Sequence, residues 1–105
     1  MISDDWDAAC AILPTWANEL GVMESALAEC PIPSNVFLGL TRYYSFEAIE
    51  ELVAGTNSLF DACTISESSE EGLTYQLQAL GHIVTANELT GAATDALDNY
   101  TVSLE

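Results

Sequence analysis

The sequence predicts an all-α protein, folded as a single domain in a small bundle of about four to six helices. Apolar residues recur at three- and four-residue steps along most of the chain, and capping residues and acids precede those runs. No segment offers a β-strand an obvious partner. With 105 residues, one modest hydrophobic core is the expected limit.

The elements follow in order. Ser3, with Asp4 and Asp5 behind it, reads as an N-cap whose acids favour the positive end of a helix dipole. Trp6, Cys10, Leu13, Trp16 or Ala17, and Leu20 then form one apolar stripe. Pro14 interrupts it, so the helix either kinks there or ends, and a second opens with Pro14 in its first turn. Helix continues from Glu19 to Glu29, until Pro31 and Pro33 impose an extended break near Cys30. Ser34 or Asn35 can cap Val36 to Tyr44, an apolar run that suits helix or strand; helix is preferred for want of a pairing strand.

Ser45 reads as the cap of an amphipathic helix. Phe46, Ile49, Leu52 and Val53 face one way, Glu47, Glu50 and Glu51 the other, and Gly55 ends it. Asn57 to Cys63 adds a turn or two, and Thr64 to Ser69 is a polar loop. Ser68 or Ser69 caps the cleanest helical pattern of all, Leu73, Leu77, Leu80 and Val84, which Gly81 weakens only slightly. A last helix, Asn87 to Asn99, sets Leu89, Ala93, Ala96, Leu97 and Tyr100 on its apolar side. There is no internal repeat, linker or low-complexity tract.

Charge is the most unusual property. Eleven Glu and six Asp stand against one cation, Arg42, with no lysine, for a formal net charge of −16. One arginine cannot neutralise the phosphates that direct nucleic-acid binding requires, nor form a polybasic membrane surface. Half the residues are hydrophobic, and the mean hydropathy is +0.22, which argues against acidic disorder. No segment approaches the roughly 18 apolar residues of a membrane span. The start, Met-Ile-Ser-Asp-Asp-Trp-Asp, lacks the positive charge of a secretory signal, so a cytosolic location is expected. The terminal Leu104-Glu105 pair matches the remnant of a cloning site placed before an affinity tag.

Few residues point to catalysis, metal or cofactor. Cys10, Cys30 and Cys63 are odd in number and form no C-x-x-C pair, and only His82 could join them at zinc. Reduced, buried thiols are expected, with His82 as a partly buried packing residue. Arg42 is expected in a salt bridge or against the ring of Tyr43 or Tyr44. The glycines stand singly, so no phosphate-cradling loop is present, and the calcium-loop pattern is missing. Asp4, Asp5 and Asp7 could hold a divalent cation only weakly. No acid has a neighbouring His, Lys or Arg that would mark it as a general acid or base.

The acids are grouped instead. Glu47, Glu50 and Glu51 occupy i, i+3 and i+4 of one helix; Glu67, Glu70 and Glu71 repeat that spacing; Asp95 and Asp98 share a side of the last helix with Glu88. Each like-charged pair costs about 0.2–0.5 kcal/mol, and no lysine offsets it. Solubility asks a small domain for a net charge of only about 2–8. A compact globule of this length is roughly 33 Å across, and duplex DNA of that length carries about 19 phosphate charges. The composition resembles that of phage-encoded inhibitors of host defence: anti-CRISPR proteins, anti-restriction proteins and uracil-glycosylase inhibitors. That resemblance implies a DNA mimic whose carboxylates (Glu47, Glu50, Glu51, Glu67, Glu70, Glu71, Asp95, Asp98) engage a basic nucleic-acid-binding protein. Its narrowest form is an anti-CRISPR protein in the DNA- or PAM-binding groove of a CRISPR effector. The rivals are an acidic protein–protein module, such as an antitoxin or regulatory partner, and a halophile-adapted housekeeping domain. Glu outnumbering Asp tells against the last.

Overall fold

The structure is a computed structural model; it describes the backbone of residues 2–65 and 69–105 and the side chains of residues 6–65 and 69–105. It is all-α. Three long helices, α1 (Ile2–Glu29), α2 (Val36–Cys63) and α3 (Glu70–Ser103), replace the four to six expected.

The true caps lie in the two connections. The Asn35 side chain accepts from the backbone N–H of Phe37 at 2.9 Å and of Leu38 at 3.2 Å, opening α2 after the prolines. Ser69 Oγ accepts from the N–H of Gly72 at 2.9 Å, and Glu70 and Glu71 fill the first turn of α3. The alternative cap Ser68 lies outside the described residues. α1 starts at Ile2, so Ser3 falls inside it; the side chains of Ser3, Asp4 and Asp5 are not among those described. Pro14 sits within one continuous α1, where its missing N–H leaves the Cys10 carbonyl without its helical donor.

Gly55 does not end a helix, because it belongs to a seam of small residues; Ser45 lies within the continuous α2 and starts none. Ala48, Gly55 and Ala62 on α2 recur every seven residues and are buried, as are Gly72, Ala79, Ala86 and Ala93 on α3. A seven-residue repeat keeps one face of a helix toward its neighbour, as in a coiled coil. Here the knobs are methyl groups or hydrogens, so the antiparallel backbones approach closely. A Cβ added at Gly55 would lie 3.3 Å from His82 Cβ and 3.4 Å from the Ala79 carbonyl oxygen.

α1 packs on α2, and its backbone stays apart from that of α3. Three attachments hold it. Leu13 is buried at mid-helix. A Cys10–Cys63 disulfide ties one end. At the other, Arg42 donates to the Leu27 carbonyl oxygen at 3.1 Å. The disulfide corrects the expectation of reduced, buried thiols: two cysteines far apart in sequence meet because α1 and α2 are antiparallel, and the free Cys30 is exposed.

The result is a rod of 53 × 22 × 21 Å. The 34 residues of α3 account for it, at about 1.5 Å per residue. The radius of gyration is 16.7 Å, against about 13 Å for a compact chain of this length. Small seam residues leave the larger apolar ones outside. Leu73, Leu77, Leu80 and Val84, the cleanest stripe in the sequence, are 49 to 68% exposed. Among the described residues no helix is long and apolar enough to cross a membrane.

Two substitutions separate seam from surface. No atom lies within 4 Å of a Cβ placed at Gly81, so Gly81→Ala should stabilise by up to about 1 kcal/mol through helix propensity alone. Gly55→Leu should force α2 from α3 and cost about 1–3 kcal/mol. Thermal melting followed by circular dichroism should show shifts of opposite sign. Reducing Cys10–Cys63, which closes a loop across 53 positions, should lower stability by up to about 4 kcal/mol, measurable as a drop in Tm on adding reductant.

Candidate functional site

The structure distributes the grouped acids along the rod. On α2, Glu50 is exposed and Glu47 half-buried. Glu51 turns toward α3, its Oε2 lying 2.7 Å from His82 Nδ1. A carboxylate can only accept, so His82 donates from Nδ1. This pair bridges the helices beside Gly55, the point of their close approach. Helical spacing alone put Glu51 with Glu47 and Glu50; the neighbouring helix separates it from them. His82 therefore has an acidic partner that no local pattern in the sequence marks.

Glu70 and Glu71 stand exposed in the first turn of α3, and Asp95 and Asp98 stand exposed near its far end. Glu67 lies outside the described residues. In the antiparallel pair, Gly55 lies against Ala79 and His82, which places Glu47 and Glu50 midway along α3. At 1.5 Å per residue, Glu47 and Glu50 then lie roughly 24 Å along the rod from Glu70 and Glu71 and roughly 15 Å from Asp95 and Asp98. They form separate stations, not one patch.

The elongated shape also changes the comparison with DNA. A duplex 53 Å long carries about 31 phosphate charges at one per 1.7 Å. A net charge of −16 is about half that density. The near-equality expected for a 33 Å globule does not hold, because a core of small side chains yields a rod. Among the described residues, no three His, Cys, Asp or Glu side chains gather where one cation could be held.

Arg42 also departs from expectation. Its partner among the described residues is a backbone carbonyl, not a carboxylate or an aromatic ring. Leu27 is near the C-terminus of α1, where unpaired carbonyls and the dipole favour a cation. The neighbouring tyrosines pack on each other edge to face, with ring centroids 5.4 Å apart.

A second feature has no counterpart in the sequence analysis. α1 and α3 flank α2 with their backbones apart, which leaves an apolar groove with α2 as its floor. One section, of about 260 Å³, is lined by Trp16, Leu20, Leu59 and Ile83 among others. The next, of about 350 Å³, runs on past Ala93 and Leu97. Met23 and Leu52 line both sections, so the groove is continuous. Trp16, Met23, Ile83 and Leu97 are 44 to 52% exposed within it. One signal was available: Ile12, Trp16 and Met23 fall beside the Leu13–Leu20 stripe, making the apolar face of α1 wider than a single neighbour can cover.

Comparison with protein-family models, with curated proteins and with solved structures finds no match to this chain.

Replacing Arg42 tests its role at the end of α1. Arg42→Leu should destabilise the fold by about 1–2 kcal/mol through loss of a charge-assisted hydrogen bond, while Arg42→Lys should recover part of that loss. Chemical denaturation of the three proteins measures the order.

Proposed function

We propose that this protein is a non-catalytic inhibitor that places its carboxylates where a target protein expects nucleic-acid phosphates. One observation carries the reading: the only Lys or Arg side chain is turned onto a backbone carbonyl between two helices. The surface of a 53 Å rod therefore carries Glu47, Glu50, Glu70, Glu71, Asp95 and Asp98 with no lysine or arginine among them. Such a field steers the rod toward a basic groove and speeds association. The partner is a basic nucleic-acid-binding protein, and in the narrowest form of the proposal it is a CRISPR effector whose DNA- or PAM-binding groove is occupied. The protein binds neither nucleic acid nor membrane itself.

Spacing refines the proposal. Carboxylate stations roughly 15 to 24 Å apart imitate a few selected phosphate contacts instead of a continuous backbone. The target would hold separate Lys or Arg clusters at matching intervals. Action on such an effector places the protein in the bacterial cytosol, where thiols are kept reduced. There α1 would rely on Leu13 and Arg42 once Cys10–Cys63 opens, so binding belongs to be measured with and without reductant.

Competition is the direct test. Duplex DNA carrying a PAM should displace the protein from the effector complex, and the protein should block target-DNA cleavage as it is titrated in. Glu47→Gln with Glu50→Gln, Glu70→Gln with Glu71→Gln, and Asp95→Asn with Asp98→Asn should each leave the fold intact or slightly firmer. Each pair should weaken inhibition at least tenfold at physiological salt, about 1.4 kcal/mol or more. Unchanged inhibition by all three pairs, or binding that ignores saturating duplex, would remove the mimic reading.

A further inference from the structure

We propose that the groove between α1 and α3 is a docking site for a cationic amphipathic helix of a partner protein. This proposal concerns the apolar groove and stands independently of the phosphate-mimic reading.

The groove has the form a helix needs. Its floor runs along α2 from Leu59 to Thr41, eighteen steps or about 27 Å. That accommodates a helix of about five turns. A helix laid there would meet Trp16, Leu20 and Met23 on one wall and Ile83 and Leu97 on the other. Anchors at i, i+3 or i+4, and i+7 are the pattern by which such grooves read a helix.

Charge selects the occupant. Glu19 lines the groove itself. Glu24 follows the groove residue Leu20 by one helical turn on α1. Arg42, the only Lys or Arg, is engaged with the Leu27 carbonyl. A second copy of this chain would bring another sixteen net negative charges to that rim. A helix with lysines or arginines beside its apolar face instead meets carboxylates, and lays its aliphatic stems on the groove walls.

The probe is a synthetic 18-residue helical peptide with Leu at the anchoring positions and Lys elsewhere, together with a twin in which every Lys is Glu. A Trp6→Phe background leaves Trp16 as the only tryptophan, reporting from within the groove. The Lys peptide should bind in a saturable 1:1 complex at physiological salt, shift Trp16 emission to the blue, and leave the Glu twin unbound. Met23→Ser and Leu97→Ser, both at half-exposed positions and checked for native circular dichroism, should each weaken binding at least tenfold. Leu77→Ser, on the exposed stripe away from the groove, should leave it unchanged. Groove variants that bind as well as the parent, or a loss shared equally by Leu77→Ser, would reduce the interaction to general charge attraction and overturn the proposal. Sedimentation showing a stable dimer that excludes the peptide would overturn it in favour of a second copy.

Discussion

The close approach of α2 to α3 is the constraint from which the rest of the structure follows. Ala48, Gly55 and Ala62 meet a face carrying Gly72, Ala79, Ala86 and Ala93, all buried. Side chains this small let backbones come near enough for dispersion contacts along much of both helices. They also explain how two helices run unbroken through Gly55, Gly81 and several threonines that favour helix weakly. The threonines adapt locally: Thr56, buried in the seam region, donates to the Leu52 carbonyl oxygen at 2.8 Å, so its hydroxyl is satisfied.

A seam of alanine and glycine buries little apolar area per residue, and this has two consequences. The first is that α1 cannot rely on a shared central core. It is held by Leu13, by a covalent link between Cys10 and Cys63, and by the Arg42 contact with Leu27. The covalent and the polar attachment lie toward opposite ends and hold α1 along α2. The second is that the larger apolar side chains have nowhere to go. Some line the groove between α1 and α3, and others form the outer stripe Leu73, Leu77, Leu80 and Val84.

Charge and shape act together on this framework. A net charge of −16 on a compact globule would concentrate repulsion, while a 53 Å rod spreads the same carboxylates over distances beyond the Debye length of about 8 Å. Mid-helix acids at Glu47 and Glu50 have no helix dipole to support them, whereas Glu51 meets a histidine across the helix pair. The two proposed surfaces use different parts of this arrangement. Carboxylate stations supply attraction at range, and the groove supplies apolar contact at short distance.

The sequence by itself determined the helical class, the break at Pro31 and Pro33, and the Asn35 and Ser69 caps (each one of two candidates offered). It also determined that no lysine would offset the acids. These are local matters, decided by backbone geometry, by hydrogen bonds within three residues and by composition. Tertiary structure decided the number of helices, because Gly55 looks like punctuation until a neighbouring helix makes smallness an advantage. It decided that Cys10 meets Cys63 and Glu51 meets His82, contacts between residues 53 and 31 positions apart that no local pattern encodes. It also turned the Leu73–Val84 stripe outward. Periodicity tells which residues share a face of a helix; only packing tells which face is covered, and here alanines lay closer to the partner than leucines could.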